Sequence, residues 1–152
     1  MAKEKMKKFE VLEEGASIKL KVFGSSPKEL FQNALQAMAY VQKPEVLAQT
    51  AVGKLIGVVR GRRVSEDVFF KSMDYSTLLV DFLTDVLSRS DNHNAVFFDG
   101  RFKELSELKA AGRIYGVKVA DFDKNIKAVS FHEVEVKEVG PGKWEGILVF
   151  DV

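Results

Sequence analysis

Trp144-Glu145-Gly146-Ile147-Leu148-Val149-Phe150-Asp151-Val152 is the stretch on which the fold turns. Its apolar run from Ile147 to Phe150 predicts a buried strand, and a buried strand is tied down rather than frayed. Asp151 and the α-carboxylate of Val152 then stand side by side at one edge of a packed sheet. Two anions so placed repel unless a cation or a donor lies between them. Two outcomes are open for the pair: coordination of a hard metal ion, or solvation at the sheet's end.

A buried strand needs partners, and the rest of the chain supplies candidates. Residues 9–13 read as one strand and 18–23 as another, with Ile18, Leu20 and Val22 alternating toward the core. Glu14-Gly15-Ala16-Ser17 between them is a corner or a bulge, since glycine inside a strand pattern marks one. Ser26-Pro27-Lys28-Glu29 combines an N-cap serine, proline at the first helical position and glutamate at the third. The helix it starts carries Leu30, Phe31, Ala34, Leu35, Met38 and Val41 as one apolar stripe. Residues 52–60 and 64–73 predict a hairpin through Gly61-Arg62-Arg63. Asp74 is the N-cap of a second helix with Leu78, Leu79, Phe82, Leu83, Val86 and Leu87 as its stripe, ending at the polar cluster 90–94. Four further strands are expected over 95–102, 108–119, 128–137 and 144–150, the last two turned by Gly140-Pro141-Gly142. Strands outnumber helices and do not alternate with them. The expected architecture is therefore an α+β two-layer domain, a mixed and mostly antiparallel sheet packed by two helices.

Composition bounds the function. A length of 152 residues implies one domain, 1–152, able to bury about two-thirds of its unfolded surface. No apolar stretch approaches the ~20 residues of a membrane span, and the charged start is no secretory signal. The absence of cysteine removes disulfides, thiol catalysis and thiolate metal sites; a cytoplasmic location follows as the default. Twenty-three basic against 22 acidic residues argue against a surface built as a whole to hold nucleic acid.

Motifs narrow it further. Asp121-Phe122-Asp123-Lys124-Asn125 has the opening spacing of a calcium loop, but Ile126 and His132 stand where glycine and a bidentate glutamate are required, so a solvated turn is expected. Gly53, Gly57 and Gly61 form no nucleotide fingerprint, and Arg60, Arg62 and Arg63 read as a solvated hairpin tip. His132 reads as a hydrogen-bonded strand histidine, and His93 as part of a polar turn. Ser130, His132 and Asp151 lack a nucleophile elbow, so no catalytic residue is assigned.

Taken in order, several stretches resemble the archease family. They are Lys8-Phe9-Glu10-Val11-Leu12-Glu13, then Ser26-Pro27-Lys28-Glu29-Leu30-Phe31-Gln32-Asn33-Ala34 with Ala37-Met38, then Leu78-Leu79-Val80-Asp81-Phe82-Leu83, Ile126-Lys127-Ala128-Val129-Ser130-Phe131-His132 and Phe150-Asp151-Val152. The resemblance covers most of the chain from Lys8 to Val152 and implies the same α+β fold. It also implies a non-enzymatic accessory protein that promotes guanylylation and turnover of the GTP-dependent ligase sealing tRNA exons. Family members usually carry His-Thr-Ala-Asp at the corner after the first strand, and its aspartate joins the penultimate aspartate and the terminal carboxylate around a divalent cation. Here the corner reads Glu14-Gly15-Ala16-Ser17. The implied metal set is thus Asp151, Val152, Ser17 and Glu14, holding calcium, magnesium or manganese with one carboxylate lost at Ser17. Glu14 compensates only if a bulge at Gly15 turns it inward; otherwise Ser17 donates a hydrogen bond to Asp151 and holds the corner without ion chemistry. The implied partner is the tRNA-splicing RNA ligase. For a member that has lost its metal function it is a tRNA-modifying enzyme such as a tRNA methyltransferase, served as by a chaperone or structural partner. No direct sequence-specific nucleic-acid contact and no membrane contact is implied.

Overall fold

Alternation of apolar and polar residues builds the first sheet. In the computed structural model, which describes residues 7–49, 62–130 and 134–152, Ile18, Leu20 and Val22 form the buried row of β2 (Ser17–Gly24). β2 pairs antiparallel with β1 (Phe9–Glu14) on one side and β8 (Lys143–Asp151) on the other. Along its other edge β8 carries β6 (Ala128–Val129) near its end and β7 (Glu135–Gly140) near its start, completing five strands. The closing stretch is therefore a central strand, with Leu148, Val149 and Phe150 buried.

One expected strand over 128–137 is instead two. Val129 opposes Phe150 and Glu135 opposes Ile147, so one side advances from 129 to 135 while β8 steps only from 150 to 147, which a continuous ladder does not allow. The remaining strands form a second sheet in the order β3 (Arg63–Lys71), β5 (Lys109–Lys118), β4 (Ala95–Leu105). The α+β class holds, with the strands divided between two sheets and every described pairing antiparallel. The expected hairpin partner of β3, residues 52–60, lies outside the described residues; the partner described is β5.

Both helices start where their caps predict. Ser26 Oγ accepts from the Glu29 N–H at 3.2 Å and opens α1 (Pro27–Gln42), while the Glu29 carboxylate reaches back to Ser25, accepting from its N–H at 3.0 Å and its hydroxyl at 3.1 Å. Asp74 accepts from the Thr77 N–H at 2.7 Å and opens α2 (Tyr75–His93), which Asn94 ends at φ 49° in the left-handed region. A short helical stretch over residues 44–49 follows α1.

One apolar core joins these parts, taking Leu20 and Phe150 from the first sheet, Val68 and Ile114 from the second, and the stripes of both helices. Phe82 is its centre, with ring centroids 5.3 Å from Phe102, 5.9 Å from Phe70 and 6.0 Å from Phe31. Tyr75 packs on Trp144 at 5.4 Å, fixing the start of α2 to the start of β8. Gln32 of α1 donates to Asp99 at 2.8 Å and accepts from the Gly100 N–H, so the helix covers main-chain groups of strand β4.

Candidate functional site

The β2–β8 ladder sets Ser17 directly opposite Asp151. The Ser17 hydroxyl donates to Asp151 Oδ1 at 2.9 Å. On the other side of β8, Ala128 opposes Asp151, and the Lys127 N–H donates to the Asp151 carbonyl at 2.7 Å. The Val152 N–H donates to the Ala16 carbonyl at 3.1 Å. Main-chain bonds on both flanks thus hold the end of the strand and keep Ser17 beside Asp151.

Glu14 does not join them. It pairs with Ile18, whose side chain is buried, and the pleat sends neighbouring residues of β2 to opposite faces. Glu14 therefore lies on the face of Ile18, lining an open cleft with Val11, Tyr40, Val41 and Asp123. The bulge needed at Gly15 falls instead between Val11 and Glu13, and Gly15 and Ala16 form the turn. As a cage for a hard dication, which takes six to eight oxygens, this set does not fit a tightly held ion. The Ser17 hydrogen is engaged by Asp151, and one side-chain carboxylate is present. Among the described residues no three His, Cys, Asp or Glu side chains converge to hold a metal.

Two charged clusters escaped the sequence. Asp121 and Asp123, read as a solvated turn, both accept from the Lys43 ammonium, at 3.0 and 3.3 Å, with Glu45 at 3.8 Å. The bond to Asp121, aided by that to Asp123 and opposed by burial, holds Lys43 above the usual lysine range. His93 meets Glu66, 27 residues away in sequence, through Nε2 at 2.6 Å; Arg89 bridges Glu66 at 2.9 Å and Asp85 at 2.6 Å. Only the (i, i+4) spacing of Asp85 and Arg89 was visible beforehand. This cluster ties the end of α2 to β3, far along the chain from Asp151. Arg62 and Arg63 are exposed; the rest of the hairpin tip expected there lies outside the described residues. Arg60 and His132 lie outside the described residues. No helix among the described residues is long and apolar enough to cross a membrane.

Comparison with known proteins covers the same span. Residues 9–152 match the model of the archease protein family (MTH1598/TM1083). The chain is 31% identical to the protein archease of Methanosarcina acetivorans over 154 residues, covering 96% of this chain and 97% of the relative. It is 28% identical to that of Pyrococcus abyssi over 155 residues, covering 97% and 100%. Two solved structures share the fold. One is the solution structure of a Methanobacterium thermoautotrophicum protein, with a TM-score of 0.72, 23% identity and coverage of 97% and 100%. The other is a Thermotoga maritima archease described as a possible chaperone, with a TM-score of 0.61, 16% identity and coverage of 99% and 100%. The chain belongs to the archease family.

Proposed function

We propose that this protein is a non-catalytic accessory factor that promotes guanylylation and turnover of a GTP-dependent tRNA-splicing RNA ligase. The observation that carries the reading is the pairing of Ser17 with Asp151 at the end of β8, in a chain that matches its family from residue 9 to 152. That corner lies on the surface, with Ser17 exposed and Asp151 half-buried, where an acidic group is open to a partner. A calcium, magnesium or manganese ion binds there weakly, through Asp151 and the chain end at Val152, because a hydroxyl stands where the family carries a carboxylate. The test is multiple-turnover ligation by the purified ligase with GTP, with and without this protein at equal concentration. Faster guanylylation and more turnovers per ligase are expected, and the Asp151→Ala variant should stimulate less. Unchanged ligase kinetics at saturating protein overturn the reading.

A second reading is favoured by the Ser17–Asp151 hydrogen bond, which holds the corner without an ion. On it, the protein serves a tRNA-modifying enzyme such as a methyltransferase as a metal-independent, chaperone-like partner. Protection of that enzyme from aggregation, undiminished by chelator, supports it; absence of protection removes it.

A further inference from the structure

We infer that the outer face of the β3–β5–β4 sheet holds unpaired RNA, stacking bases on Phe69 and Tyr115 and drawing phosphates to the cations beside those rings. The inference goes beyond the ligase reading, and only the choice of RNA over DNA rests on it.

The pleat decides which side chains stand on this face. Val68, Ala110 and Ile114 point into the core that both helix stripes share. Phe69 and Lys71 of β3, with Ala111, Arg113 and Tyr115 of β5, therefore point the other way. Arg101 of β4 stands with them, directly opposite Arg113. The face is covered at one end, where Val117 is buried with Val46, and open toward Lys71. Phe69, a large ring, is 60% exposed there.

Each ring has a cation beside it. The Lys71 ammonium lies 5.9 Å from the centre of Phe69, and the Arg101 guanidinium 5.6 Å from that of Tyr115, both within reach of a cation–π contact. Phe69 opposes Ala111, and Tyr115 lies four residues further along β5, which at about 3.4 Å per residue sets the rings roughly 14 Å apart. Arg113 stands between them, its guanidinium donating to Asp67 at 2.7 Å and to Ser65 at 2.9 Å. The order is ring, cation, ring. A protein partner would seat on a contiguous apolar centre, and the Asp67–Arg113 pair interrupts this one. A single nucleic-acid strand instead repeats a flat base and a phosphate. Separated rings with cations among them, on an open antiparallel sheet, hold such a strand without reading its sequence.

Charge sets how the strand is held. Arg101, Lys109 and Arg113 are each matched by a carboxylate, Asp99 at 3.5 Å, Glu104 at 3.1 Å and Asp67 at 2.7 Å. Arg63 and Lys71, at the two ends of β3, make no ion pair among the described residues. Glu107, exposed in the turn between β4 and β5, bounds the face at the Lys71 end, and Arg62 adjoins Arg63 at the other. The surplus of cations is small, so stacking supplies most of the affinity and salt weakens it only gently. The balanced charge of the whole chain excludes an all-over basic surface, and a stacking face needs none.

The test is fluorescence anisotropy of a short labelled oligouridylate, of its duplex with oligoadenylate and of the deoxy strand, titrated with the full chain at about 50 and about 200 mM salt. Wild type is compared with Phe69→Leu, Phe69→Trp, Tyr115→Leu and Lys71→Ala, and thermal unfolding checks that each folds. Phe69 and Lys71 are exposed, so their variants keep the test decisive even if Tyr115→Leu does not fold. Wild type should bind the single strand at least about tenfold tighter than the duplex. Phe69→Leu and Tyr115→Leu should each weaken binding by about 5- to 100-fold, while Phe69→Trp, which keeps a ring, should not. Lys71→Ala should reduce the slope of log affinity against log salt by about 0.7. No binding of the single strand at the lower salt, equal binding by Phe69→Leu, or a duplex bound as tightly as the single strand overturns the inference. So does a deoxy strand bound about tenfold tighter, which assigns the face to DNA, or ligase captured without RNA and lost in Phe69→Leu, which assigns it to a protein. If the protein stimulates the ligase but binds no RNA, the stacking face falls and the ligase reading stands. RNA binding with unchanged ligase kinetics does the reverse.

Discussion

Substituting Ser17 by aspartate should convert a neutral contact into a cation-dependent one, and the structure sets its size. The hydroxyl now donates to Asp151 Oδ1 at 2.9 Å. A hydrogen bond to a charged group contributes about 1.5–3 kcal/mol, taken here as about 1 kcal/mol because both side chains meet solvent. A carboxylate in its place loses that bond and sets two like charges about 4 Å apart, which costs about 1 kcal/mol in water and up to about 4 at an effective dielectric of 20. Taking the solvent-exposed end of that range, Ser17→Asp should lose about 2 kcal/mol in chelator. For a domain of this length that is a fall in Tm of roughly 4–8 °C. Calcium at 100 times its dissociation constant should then return about 2.7 kcal/mol, bringing the variant to or above the wild type. Thermal unfolding followed by circular dichroism, in chelator and across a calcium titration, reads both numbers. Wild type should shift by less than about 2 °C at the same calcium concentrations. A variant as stable as wild type in chelator, or a wild type that gains as much from calcium as the variant does, refutes the reasoning.

Three further outcomes are expected. Phe82→Ala removes a fully buried ring from the middle of an aromatic cluster, and urea unfolding should show a loss of about 3–5 kcal/mol. Asp74→Ala removes the cap of α2 and should cost about 1 kcal/mol at pH 7. The Thr77 N–H holds the Asp74 carboxyl below its ordinary value of 3.8, so this contribution is complete above 3.8 and lost as pH falls through the lower folded value; the two proteins should converge in acid. Burial lifts Asp81 above the same ordinary value, so its charged form is a penalty at neutral pH. Asp81→Asn should therefore raise Tm at pH 7, with the gain fading as pH drops through the raised value toward 3.8.

What could be read in the sequence was local. Ser26 and Asp74 announced the helix starts because a cap acts within three residues, and the stripes through Leu30–Val41 and Leu78–Leu87 followed from period alone. Strand partnership is not local. Nothing near residue 64 says that its described neighbour is β5 rather than an adjacent hairpin arm, and nothing near residue 128 says that the strand restarts after Val129. The same limit hid the charged clusters. Lys43 reaches Asp121 across 78 residues and His93 meets Glu66 across 27, so neither the lysine bound by the exposed acidic turn nor the carboxylate that meets the histidine could be read locally. The corner at Ser17 was legible only through family resemblance, while the failure of Glu14 to join it needed the register.

The register also fixes this corner independently of the side chains that stand on it. Ser17 and Asp151 are brought together by main-chain pairing that runs from Ser17–Asp151 to Gly24–Trp144, and by bonds from Lys127 and Val152 that involve no side chain. The ladder fixes the distance between the two positions, and the side chains decide only what chemistry occurs across it. A carboxylate-to-hydroxyl exchange in such a frame leaves the backbone intact and replaces ion affinity with a hydrogen bond. Glu14, by contrast, cannot be recruited by changing a side chain. Its face is set by pairing with Ile18, and moving it requires a slip of one residue that would turn the half-buried Phe9 and Val11 of β1 away from the core. Ser17→Asp is therefore the single substitution that would set two carboxylates across this corner.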